Sequence, residues 1–287
     1  MDTIRAGEVG AKRGRTRAVP QVADGLLSFQ RAGAATVVGA AYAKSPLRLL
    51  TPRNHGPAAW AYTSTLGGGL VDGDRLRLRI SVAEGACAFV SSQGPTRVYR
   101  SAQGCESETA VEVAAGGVLV LAPDPTACFA GARFRQRIGV DLADGASVAL
   151  WDVLSAGRIA RGERWSLDHC SLALTARRDG RTFLDESWLL DPSHGALGAR
   201  LGRFEALATV LLAGPLFATL ADRWRAELDS QPPAARAPLL ESASALDGCG
   251  LVVRLAADSV EELVRALRAR LAAIPSLLGD DPWARRA

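Results

Sequence analysis

The sequence predicts a mainly β protein: an extended, helicoidal or solenoid-like β body followed by two α-helices near the C-terminus. Between roughly residues 34 and 213, short stretches alternate between apolar and polar residues and are divided by Gly, Pro, Asp or Asn. That period of two is the pattern of strands with one buried face. No stretch of this region keeps the 3.6-residue period of an amphipathic helix. The third observation is a repeat. "VAEGACAFV" from Val82, "VAAGGVLVL" from Val113 and "LADGASVAL" from Leu142 each set a tight glycine turn between two apolar strands. Their spacing of roughly 30 residues is the scale of stacked coils.

Residues 1–20 are expected to form a flexible basic arm, because Arg5, Lys12, Arg13, Arg15 and Arg17 stand there beside Glu8 and little that could pack. Residues 21–287 are expected to form a single domain. Its clearest strands are "RLRLRISV" (75–82), "TRVYRS" (96–101), "ETAVEV" (108–113), "RFRQRIGVDL" (133–142) and "SVALWDVL" (147–154). A helix is predicted over 214–228, with Pro215 in its first turn and Phe217, Leu220, Trp224 and Leu228 on one stripe. After a loop at 229–238 come two further strands. A second helix is predicted over 258–274, opened by the capping box Ser259-x-x-Glu262, with Val260, Val264, Leu267, Leu271 and Ile274 on one face. The tail from residue 280 has Trp283 as its only anchor.

The charge balance excludes some classes of function. Thirty-four basic residues face 30 acidic ones, and Lys12 and Lys44 are the only lysines. A net charge of +4 is too small to argue for nucleic acid. No apolar core follows the N-terminal charges and no apolar run approaches the length of a membrane span, so a soluble, cytoplasmic protein is expected. Cys87, Cys105, Cys128, Cys170 and Cys249 are odd in number and contain no C-x-x-C pair, which reads as free thiols rather than a disulfide framework or a zinc site.

"TLGGGLVDGDRLRLRIS" (65–81) is the stretch that most resembles an active-site loop. A phosphate cradle needs its glycines to run into a helix N-terminus, whereas these run into a strand. A calcium-type loop needs more oxygen ligands than Asp72 and Asp74 supply. The remaining reading is a turn with Gly67, Gly68, Gly69 and Gly73 at positive φ and Asp72 bonded to its own backbone. Three consecutive glycines also suit a surface that another backbone approaches closely.

Four stretches in order, "GGGLVDGDRL" (67–76), "SSQGPTRVYRS" (91–101), "GARFRQRIGVDL" (131–142) and "WDVLSAGRIARGERW" (151–165), resemble the urease accessory protein family UreD, also called UreH. The preceding "SPLRLL" fits as well, and the likeness covers roughly residues 35–190. The resemblance implies a non-enzymatic urease maturation factor with a largely β, helicoidal fold. It implies binding to apo-urease and to UreF, through which UreG joins, with nickel passing through an internal tunnel and no tightly bound cofactor. Where the family usually carries a Cys-His or similar pair before the glycines, this chain has only His55.

Nickel in transit suits hydrated carboxylates better than a tight Cys/His cage. Asp74, Asp152 and Glu163 fall inside the family motifs, and facing inward they would line a wet, negative path, with His55 as a further candidate ligand. The alternative for each is an ion pair with Arg158, Arg161 or Arg164 that pins one turn to the next. Arg158 and Gly162 belong to the same motif. His169 and Cys170, adjacent on a strand, should face opposite ways and serve structure. Gln93, Thr96, Arg97, Tyr99 and Arg100 are expected on one strand with a polar face suited to a partner or a neighbouring loop. The competing class is a β-solenoid hydrolase with Asp152 and Glu163 as acid and base across a cleft, against which stands an aromatic content of only 6%. Nucleic-acid and membrane partners rank last.

Overall fold

The computed structural model describes residues 23–53, 56–230 and 233–284. The basic arm at 1–20 and His55 lie outside the described residues. Period-two alternation becomes two stacked sheets, as expected, but the β body starts earlier than residue 34. Its first strand, β1 (Gly25–Ala32), forms a hairpin with β2 (Ala35–Ala43). A second hairpin joins β3 (Leu47–Leu50) to β4 (Ala59–Thr65).

The coils follow. β5 (Arg75–Val82) turns into β6 (Cys87–Ser92), and β7 (Thr96–Val98) begins the return. β8 (Cys105–Val113), β9 (Val118–Ala122) and β10 (Thr126–Cys128) repeat the course, as do β11 (Arg133–Leu142) and β12 (Ser147–Ser155). Strands β5, β8 and β11 pair in parallel in one sheet, and β6, β9 and β12 do so in the other. The threefold sequence repeat is therefore real and marks three stacked turns. Gly85, Gly116 and Gly145 adopt φ of 61°, 63° and 71° there. Each turn hangs on the one below, through Ala114 N–H to Val82 O and Ala143 N–H to Val113 O, both 2.9 Å. Ala86 and Ala146 are fully buried at the same position. Gly117 replaces them in the middle coil, where a Cβ would lie 2.9 Å from Ala114 O and 3.0 Å from Ala83 O.

β13 (His169–Arg178) and β14 (Arg181–Leu190) end the first sheet, whose order is β14-β13-β11-β8-β5-β1-β2. The short α1 (Leu197–Arg200) leads to β15 (Ala206–Ala213). Helix α2 (Ala218–Ser230) follows, then β16 (Leu239–Leu246) and β17 (Gly250–Ala257), which complete the second sheet in the order β16-β17-β15-β12-β9-β6-β4-β3. The C-terminal end carries α3 (Val260–Arg270) and α4 (Ile274–Leu278).

Burial sorts the molecule into three layers. One core lies between the sheets and includes Phe29, Ile80, Val140, Leu119 and Leu150. A second lies between the outer face of the second sheet and the helices, around Trp60, Trp151, Trp224, Leu263 and Leu267. Because β12 and β15 are covered on both faces, "SVALWDVL" and "ALATVLLA" read as almost continuous apolar runs. A third core fills the return corner with Cys105, Cys128, Phe134 and Cys170.

The predicted helices need two corrections. The first begins at Ala218, after a 3₁₀ turn over Pro215–Phe217. The second ends at Arg270, and Ile274 opens a separate short helix. Only half of the capping box forms: Ser259 Oγ accepts the Glu262 N–H at 3.1 Å, while the Glu262 carboxylate is paired with Arg265. Trp283 does anchor the tail, its ring 6.3 Å from that of Trp151.

Candidate functional site

Alternation along β11 turns Phe134, Gln136 and Ile138 between the sheets, and alternation along β12 does the same for Leu150, Asp152 and Leu154. A polar residue thus interrupts an apolar row on each sheet, at facing positions. Gln136 Nε2 donates to Asp152 Oδ2 at 2.5 Å across the gap. In register with Gln136, β8 contributes Ser107. These groups line a cavity of about 420 Å³ with Thr109, Ser91, Gln93, Thr96, Arg97 and Gly68. Asp152 also lines a second, smaller cavity of about 20 Å³ beside Glu186, Thr209 and Trp188, so it stands where the two meet. Trp188 Nε1 is buried there without a hydrogen-bond partner among the described residues.

Burial pushes the Asp152 carboxyl up to about 6, against the opposing pull of the Gln136 amide. An interior carboxylate that changes charge near neutral pH can exchange a proton for a cation. Among the described residues, no three His, Cys, Asp or Glu side chains gather closely enough to hold a metal.

The glycine stretch forms one wall of this cavity. Gly67, Gly68 and Gly73 adopt φ of 84°, 72° and 85°. Gly69 does not, and it answers to the other reason for a triple glycine. A Cβ there would overlap the Arg97 carbonyl and lie 2.7 Å from Tyr99 Cε2. The neighbouring Leu70 exchanges hydrogen bonds with Arg97 O and Tyr99 N at 2.7 and 3.0 Å. Asp72 does not bond its own backbone, since its Oδ1 accepts Gln103 N–H at 2.7 Å and Gly104 N–H at 3.1 Å in the next coil. Asp74 closes the turn instead, with Oδ2 accepting Val71 N–H at 2.8 Å.

Sequence motifs that looked like one site divide into two. Gln93, Thr96 and Arg97 face the cavity. They do not share one strand with Tyr99 and Arg100, because Gln93 lies in the turn between β6 and β7 and β7 stops at Val98. Tyr99 packs edge-on against Phe129 at 5.4 Å, and the Arg100 side chain covers Gly131. Glu163 belongs to this second cluster. Arg158 grips it bidentately, Ala130 N–H donates to Oε2 at 3.1 Å, and the Arg158 guanidinium lies 4.3 Å over Phe129. The Arg158 hydrogen bond, followed by that of Ala130, holds the Glu163 carboxyl below its ordinary range. Gly162, at φ 73°, ends the short 3₁₀ turn between the two partners. Asp74, Asp152 and Glu163 therefore do not line one path, and the hydrolase pair Asp152/Glu163 does not face one cleft. His169 and Cys170 diverge as expected: His169 Nδ1 lies 3.2 Å from Asp191 Oδ2, and Cys170 is buried. All five cysteines are free, and burial pushes the Cys87 thiol up to about 11.

Gln136, Ser107, Thr109, Ser91 and Thr209 escaped sequence reading. For Gln136 the signal was present, as the one polar residue among Phe134, Ile138 and Val140 on the buried face of β11.

Fold and site define a class: a two-sheet β-helicoid that encloses a polar cavity with Asp152 in its lining. Comparison with known proteins then narrows it. The model of the UreD urease accessory protein family matches residues 21–287. A Sorangium cellulosum protein named urease accessory protein UreD is 48% identical over 94% of this chain and 86% of the relative. One of that name from Anaeromyxobacter is 41% identical over 91% of this chain and 88% of the relative. Urease accessory protein D of Arabidopsis thaliana is 28% identical over 92% of this chain and all of the relative. The chain belongs to the UreD family of urease accessory proteins, and its role lies in urease maturation. No described helix is long and apolar enough to cross a membrane.

Proposed function

We propose that this chain is the scaffold of a urease activation complex, binding apo-urease and UreF, with UreG joining through UreF, and that it passes nickel towards the urease active site. The supporting observation is the cavity between the sheets, which sets Asp152 and a row of hydroxyl and amide oxygens, with Arg97 at the wall, between the apolar rows of the two sheets. One carboxylate with neutral oxygen donors is a weak, exchangeable site for a divalent cation, as passage requires and storage does not. Nickel is cargo here, and no cofactor stays bound. Leu66 and Val71, 46% and 54% exposed, flank the glycine turn on the cavity wall and offer apolar surface to a partner.

The reading is tested by co-expressing the tagged full chain with the urease structural subunits, UreF and UreG. Recovery of a complex containing apo-urease and UreF is expected. Purification as a clean monomer with glycosidase activity would overturn it.

A further inference from the structure

The solvent face of the first sheet carries two columns of arginine. Alternation along β5 buries Leu78 and Ile80 and turns Arg75, Arg77 and Arg79 outward; along β11 it buries Phe134 and Ile138 and turns out Arg133, Arg135 and Arg137. Between the columns runs β8 with Glu106 and Glu108. Parallel register aligns Arg75 with Glu106 and Arg135, and Arg77 with Glu108 and Arg137. Neighbouring strands lie about 4.8 Å apart, which sets the arginine columns about 10 Å from each other. A shallow depression of about 300 Å³ lies among these side chains.

In the half of the face that carries the arginines the charges do not cancel: six guanidiniums face Glu106, Glu108 and Asp24, while Glu112 and Asp141, the latter paired with Arg177, lie at the far end. Glu106 is shared by Arg75 at 3.8 Å and Arg135 at 3.3 Å, and Asp24 holds Arg77 at 3.0 Å. Among the described residues, no ion pair engages Arg79, Arg133 or Arg137.

We propose that this face docks a carboxylate-rich surface of a partner protein. Guanidinium forks match carboxylates bidentately, and the surplus cations stand in two ordered columns on a rigid sheet. Between the columns Glu106 holds Arg75 and Arg135 in place. β5, β8 and β11 present no outward aromatic side chain on which a base could stack. The inference does not rest on the nickel route, since it concerns the opposite face of these strands.

Binding of the full chain to a polyglutamate peptide, read by fluorescence anisotropy at rising salt, tests it. Wild type should bind at low salt and weaken as charges are screened. The triple variant Arg79→Glu, Arg133→Glu and Arg137→Glu should bind at least about tenfold more weakly. A control with the same net charge, Arg223→Glu, Arg225→Glu and Arg268→Glu on the helices, should bind as wild type does. Equal losses in both triples, no binding by wild type, or tighter binding of a short DNA duplex would each overturn the proposal. Replacement of the three sheet arginines by Gln, with melting curves for every variant, separates docking from misfolding. A folded Gln variant with unchanged affinity would also count against it.

Discussion

At the scale of single residues, Asp152, Glu163 and Gly69 show how similar-looking motif positions come to different work. Asp152 faces the cavity with its carboxyl raised by burial, so the folded protein binds its proton more tightly than the unfolded chain does. Below the ordinary value of 3.8 both states are protonated and nothing is gained or lost. As pH rises from there to about 6 the unfolded chain ionises while the buried carboxyl stays protonated, and stability falls. Asp152→Asn removes this penalty. Thermal melts should show the variant gaining on wild type between about pH 4 and 6 and keeping that gain at higher pH, by up to about 3 kcal/mol. Glu163 behaves oppositely, because its lowered value stabilises the fold above its ordinary 4.5 and the benefit is lost as pH falls. Glu163→Ala should lower the melting temperature at neutral pH, with the gap to wild type closing in acid. Gly69→Ala drives a methyl group into the Arg97 carbonyl and Tyr99 ring, which should cost about 1–3 kcal/mol in a denaturant titration. A neutral result would mean that the two backbones stand further apart.

Elements were legible in the sequence wherever one rule governed them. β5 and β11 came out residue for residue, because each has one face in the core and one in water. The repeat around Gly85, Gly116 and Gly145 could be found because every coil needs the same tight turn. Reading failed where tertiary contacts end an element: nothing in "TRVYRS" says that the chain leaves its strand at Val98 so that Tyr99 can cross to Leu70. It also failed at β1, whose partners in β2 and β5 are supplied only by the fold. The site was half legible. Asp152 stood out as a charge in an apolar run, but Gln136 and the hydroxyls became a site only when the sheets faced each other. Helix α2 offers a test of the second core. Trp224 is 1% exposed, and its Nε1 donates to Glu241 at 3.1 Å. Trp224→Ala should cost about 3–5 kcal/mol and loosen the helical layer from the sheet, read as earlier loss of the near-ultraviolet signal.

For the whole molecule, the helicoid is a spacer with two usable surfaces, an outer arginine-bearing sheet and an inner polar cavity, held in fixed relation by parallel coils. The ion pair of Glu186 with Arg254 joins β14 of one sheet to β17 of the other beside the smaller cavity, and so closes the stack at that end. In the proposed function the interior is a route rather than a storage site, and Asp152 is the group that a cation must pass. Nickel-dependent activation of apo-urease by complexes assembled with wild type or Asp152→Asn tests this most directly, with complex recovery measured in parallel. Full assembly with activation reduced about tenfold or more is the predicted result. Full assembly with wild-type activation would contradict a nickel route through this cavity.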